Sequence, residues 1–326
     1  MRHRFRHAPL LALALCILAP SPHAAANAQT PAAVAPDTLK VPFAPPLDTD
    51  LRYRVTSEKT RSGKRVAQTV LQNLRFAKSV DGYVLTIATT GFELGGKTFA
   101  VTDPQVPAAL RALLVPASFD LDGEGAPLRM RDWEAVKVKM RDNMAGAVAA
   151  LAPGKPGGPD TAAITDSVVA LYARMSAEQI APVWLQHWNA LLGLGGLEAE
   201  DGETLAGETE IETGLTPTPM PAKLAITLTA GAKPDPYHLI IRTDLDSDKA
   251  VEAIADFMRK MVGKEEATQV KLKEMETVLR GMTLQDEVDA TLHRTTGLVA
   301  SATVTRTLTT KGGETALTST RIERID

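Results

Sequence analysis

Residues 91–98 read GFELGGKT and fit the phosphate-loop pattern G-x-x-x-x-G-K-[ST]. In that motif the backbone N–H groups of a glycine loop, and of the helix behind it, hold phosphate. The chemistry therefore needs a helix starting at Lys97-Thr98. The next residues are FAVTDPQVP, where Pro104 and Pro107 bar a regular helix and Phe99 and Val101 alternate as in a strand. The nearest approach to a Mg²⁺-holding strand is HLIIRTD, residues 238–244, but Arg242 and Thr243 separate its apolar run from Asp244. The expectation is a hairpin turn at Gly95-Gly96 and no nucleotide site.

Other candidate chemistries are sparser. DLDGEG, Asp120 to Gly125, spaces acids like the start of a calcium loop, yet Arg131 stands at position 12 where a bidentate Glu is required. A polar turn is expected there. DLDSD, Asp244 to Asp248, precedes a helical pattern, so its acids are expected to cap that helix. His187, His238 and His293 lie beyond the N-terminal segment, and none forms a close ligand pair such as H-E-x-x-H. There is no G-x-S-x-G elbow and no S-x-x-K. No metal, no cofactor and no enzymatic activity are expected. A secreted hydrolase would require distant residues to converge.

The chain opens with Arg2, Arg4 and Arg6, then an apolar run from Leu10 to Leu18, then Ala26-Asn27-Ala28. This is the pattern of a secretory signal peptide over residues 1–28, and periplasmic export is expected. Leu15 is bulky where a lipoprotein signal needs a small residue, so lipid anchoring at Cys16 is not expected. Cys16 is the only cysteine, which leaves a processed chain with no disulfide, thiolate metal site or cysteine nucleophile. Without the three arginines the net charge moves from −3 to −6. A mildly acidic chain with no basic block argues against nucleic acid as partner. No later apolar run reaches the roughly 20 residues of a spanning helix.

These residues must be positioned by the elements around them. Residues 29–47 hold five prolines and read as an extended linker, with a single domain expected over 48–326. From Leu51 a period of two sets in: Leu51, Tyr53 and Val55 against Arg52 and Arg54, then Val66, Val70, Leu74 and Phe76, then Tyr83, Leu85 and Ile87. Such alternation marks antiparallel, half-buried strands. Helical spacing takes over near 132–195. Trp133, Val136, Met140 and Met144 form one stripe, and Ile180, Val183, Trp184, Trp188 and Leu191 form another behind the capping box Ser176-Ala177-Glu178-Gln179. Strands return in KLAITLTAG and YHLIIRTDL, helices near 247–282, and strands again to the end. The order reads as α+β: a curved antiparallel sheet, half-barrel-like, with helices packed on one face.

One further pattern stands out. Trp133, Met140, Met144, Trp184, Trp188, Met258 and Met261 all lie on helical stripes. Methionine adapts to varied apolar partners. The plain reading is core packing under a sheet; the sharper one is an apolar groove that holds an acyl chain.

The layout resembles the periplasmic lipoprotein carriers of the LolA and LppX type. The matching stretches are LRYRVTSEK, RVAQTVLQNLRFAK and GYVLTIATT, together with FDLDGEGAPLRM and LHRTTGLVASATV. The resemblance implies a half-barrel closed by helices over a hydrophobic cavity. It equally fits an uncharacterised secreted proteobacterial family, and no binding residue carries over. The expected role is a soluble periplasmic protein that binds a lipid or another apolar ligand. The alternative is a structural or interaction protein of the cell envelope with a protein partner.

Overall fold

The computed structural model describes residues 38–61, 63–104, 106, 114, 116–139, 175–211, 220–231, 236–247, 249–250, 282–309 and 313–325. Strands dominate them. β1 (Thr38–Lys40) stands apart from the main sheet. A first meander runs through β2 (Asp50–Arg61), β3 (Lys64–Lys78), β4 (Tyr83–Leu94), β6 (Ala117–Leu121) and β7 (Pro127–Met130), with β5 (Lys97–Ala100) also on β4. β8 (Glu198–Glu200) pairs with β1. A second meander runs through β9 (Thr204–Ile211), β10 (Met220–Ala230), β11 (Tyr237–Leu245), β12 (Thr283–Leu292), β13 (Val299–Thr309) and β14 (Thr315–Arg324). β14 pairs with β2 along residues 317–324 and 53–60, so the two meanders make one antiparallel sheet of twelve strands.

The alternation dictates two unlike faces. Inward point Leu51, Tyr53, Val55, Leu74, Phe76, Leu85, Leu228, Leu239, Ala290, Ala302 and Ile322, each almost wholly buried. Outward point threonines and charges, in cross-strand pairs such as Arg54–Glu93, Arg242–Glu287, His238–Asp289 and Thr56–Thr69. Such exposed pairs each add under about 1 kcal/mol. Their main effect is to keep this face wet.

Three local devices follow the sequence closely. Ser176 Oγ accepts from the Gln179 N–H, and Gln179 Oε1 accepts from the Ser176 N–H, which closes the capping box at the start of the helix Ala177–Leu185. Asp246 Oδ1 accepts from the Lys249 N–H, and that bond holds its carboxyl below the usual range. Gly95 and Gly96, at φ 56° and 77°, turn β4 into β5, so GFELGGKT is a hairpin with no helix behind it. Gly91 begins that stretch at a bulge against Leu71, where a Cβ would lie 2.7 Å from the Phe99 carbonyl oxygen.

The α+β class does not hold. Among the described residues, helical structure is limited to 133–139, the helix Ala177–Leu185, the 3-10 turn Gln186–Ala190 and residues 247 and 249–250. No helical layer covers the sheet there. The molecule is a mostly β structure, because its inward face is largely filled by the strands' own side chains and by apolar loops. Much of the expected helix, 140–174 and 251–281, lies outside the described residues.

The packed chain also begins earlier than Asp48. Leu39 and Val41 are buried, the Val41 N–H donates to Leu197 O, and the Ala44 N–H donates to Thr296 O. The prolines of 29–47 therefore do not make all of it a linker: its last ten residues are a lid strand and loop across one end of the sheet.

Candidate ligand-binding surface

The inward face changes character along its strands. At the end formed by Leu51, Phe76, Leu85, Leu239 and Leu292, it is closed. Trp188 sits here in the 3-10 turn, 3% exposed, edge-on to Tyr53 at 4.9 Å, with its Nε1–H donating to Gln72 Oε1 at 2.8 Å. Phe43 packs edge-on against Phe76 and Tyr83. Gly297, at φ 69°, lies so close to the lid that a Cβ would run into the Pro42 carbonyl oxygen. The cavity left between Tyr53, Leu74, Phe76, Trp188, Leu192 and Val299 is about 10 Å³. That is room for about one water and not for a ligand.

Further along the same strands the packing thins. Leu205, Leu224, Ile226, Ile241 and Val304 point inward and stay half-buried. They lie in a band on β9, β10, β11 and β13, with the buried Val288 of β12 between Ile241 and Val304. A polar belt interrupts it: Ser57 and Thr320 share a hydrogen bond at 3.1 Å, and Arg306 holds Asp286 with Nε and Nη2 at 2.7 and 2.5 Å. Arg306 and Asp286 sit opposite each other on β13 and β12, where apolar residues would extend the core. Beyond the belt a small second cluster joins Met220, Ala222, Ala250 and Leu284, with Leu245 and Leu308 against it.

The groove residues expected from the sequence divide. Trp133 is 4% exposed, donates its indole N–H to Met175 O and, like Trp188, is committed to the closed core. Trp184 is half-buried and packs on that core. Met140, Met144, Met258 and Met261 lie outside the described residues. The half-buried band is not among the residues expected to line a groove; its sequence signal is the period-two alternation of β9, β10, β11 and β13.

His187 and His238 lie in unlike surroundings. His238 Nε2 meets Asp289 Oδ1 at 2.8 Å, but both lie on the flat outward face, 44% and 58% exposed. His187, beside Trp188, has a fully enclosed Nε2 without a hydrogen-bond partner, and burial pushes its pKa down to about 4. In DLDGEG, Asp122 Oδ1 accepts from the N–H groups of Glu124 and Ala126, which makes the polar turn. Among the described residues, no helix is long and apolar enough to cross a membrane.

No family model and no curated protein matches this chain. Among solved structures, a study of lipid–protein interactions in lipovitellin provides one likeness: 9% identity and a TM-score of 0.39, over 85% of this chain. The chain spans only 25% of that lipovitellin chain. A porin-like protein from Bacteroides uniformis aligns over 87% of this chain and 100% of its own, at 9% identity and a TM-score of 0.20. Both are distant likenesses, and they do not show the lipoprotein-carrier family.

Proposed function

We propose that the protein is exported to the periplasm and binds a lipid or other apolar ligand against the open half of its inward face. The observation that carries this reading is the band Leu205, Leu224, Ile226, Ile241 and Val304. It is a run of large apolar side chains left half-buried beside a core that is otherwise tightly closed. Contiguous apolar surface of this kind gains from being covered, at about 25 cal/mol per Å². The polar belt at Ser57, Thr320, Arg306 and Asp286 offers hydrogen bonds to the polar end of an amphiphile. The signal-peptide pattern of residues 1–28 supports the compartment.

Native mass spectrometry of the protein from a periplasmic fraction tests this reading. A bound mass in the lipid range, lost on solvent extraction and regained with added fatty acid, is the expected result. Ile226→Asp with Ile241→Asp should abolish the regain. A protein that is ligand-free in every preparation and shows no saturable fatty-acid uptake would end the reading.

A further inference from the structure

The β3 arm of the β2–β3 ribbon runs past its outer neighbour. β14 follows β2 as far as Thr60, but β4 pairs with β3 only from Thr69. From Lys64 to Gln68 the β3 arm is therefore an open edge of the sheet, and residues 63–68 are all exposed. At this end of the ribbon stand Lys59, Lys64 and Arg65, all exposed, in a chain whose net charge is −3. Glu58 is held by Arg65. Lys59 and Lys64 have no ion-pair partner among the described residues. Glu93, the nearest acid on β4, is occupied by Arg54.

The register puts Lys59 directly opposite Val66, with Lys64 on the same side of the ribbon. That side is continuous with the inward face through Val55 and Val70. Val66 is 69% exposed. Free cations around an exposed valine, at the rim of an apolar face, combine the two terms that hold a protein on a charged bilayer: attraction to anionic headgroups and shallow apolar insertion.

We infer that the β2–β3 hairpin tip docks on an anionic lipid surface. The net negative charge does not oppose this at close range. Charges beyond about 10 Å are screened at 0.1 M salt, so the bilayer responds to the tip itself. This surface is separate from the proposed ligand band: a protein that takes up no fatty acid but docks on anionic vesicles would leave the inference standing.

The test is co-sedimentation of the intact protein with vesicles of phosphatidylglycerol and phosphatidylcholine, against vesicles of phosphatidylcholine alone. Binding to the anionic vesicles only, released in 1 M NaCl, is expected. Each removed cation should weaken binding about fivefold, so Lys59→Ser with Lys64→Ser should lose about 25-fold. Val66→Ser should lower binding to the anionic vesicles at low salt. Both substitutions fall on the exposed ribbon, and an unchanged melting temperature checks the fold. Equal binding to both vesicles, sedimentation with neither, or wild-type binding by the double lysine variant would overturn the inference.

Discussion

The two ends of the inward face are built from the same strands, yet they differ in what lies over them. At one end Leu228, Leu239, Val55 and Leu74 meet a lid: Val41, Phe43, Trp188, Leu191, Leu192 and Leu298. At the other, two residues along the same strands, Ile226 and Ile241 are half-buried and the belt of Arg306, Asp286, Ser57 and Thr320 begins. Strand chemistry alone does not explain the contrast, because apolar residues alternate through both regions. What differs is the supply of covering side chains from distant loops. A sheet face is buried only where something reaches it.

The comparison breaks most sharply at the lid. Gly297→Val adds a positive-φ penalty and a clash with the Pro42 carbonyl. It should cost more than about 4 kcal/mol or prevent folding, read by urea denaturation. Next, Leu239→Ala in the closed end should cost about 3–5 kcal/mol, whereas Ile241→Ala, two residues on, should cost about 1–2. Equal losses would mean that the two ends are packed alike.

His187 supplies a third contrast, in pH. Its folded pKa lies near 4, below the 6.5 of an unfolded histidine. The unfolded chain therefore binds the proton first. The stability of the neutral form is complete above about pH 6.5 and falls as pH drops toward 4, by about 2–3 kcal/mol. His187→Leu should flatten that part of a stability–pH curve. The smallest effect is expected at Lys97→Ala on the exposed β4–β5 turn: less than about 0.5 kcal/mol, with no ATP binding to lose in calorimetry.

Local rules made much of this legible. Period-two alternation located β2, β3, β4, β10 and β11, and Ser176 to Gln179 announced its helix. Gly95-Gly96 declared its turn once the prolines behind it were weighed. Each of these depends on neighbours within a few residues. What failed depends on contacts far away in the chain. Leu39 and Val41 look like linker until Ala199 and Leu197 lie beside them. Trp188 sits on a helical stripe that fits a groove as well as a core. The hydrogen bond to Gln72, 116 residues away, and the edge-on contact with Tyr53 place it. Reading helical stripes as a layer over the sheet produced the α+β class, because spacing reports a local period and not what the stripe covers.

The seam between β2 and β14 has a consequence in time. These strands join the two meanders, and about 260 residues separate the positions they bring together. β14 comes after every other strand described, so the continuous sheet cannot exist until residues 315–324 have been made. Until then each meander has an open, hydrogen-bond-hungry edge at β2 or β13, and closing so long a loop is slow. Until β14 is made, a chain of this topology exists as two unfinished pieces, a state that a holding chaperone can engage.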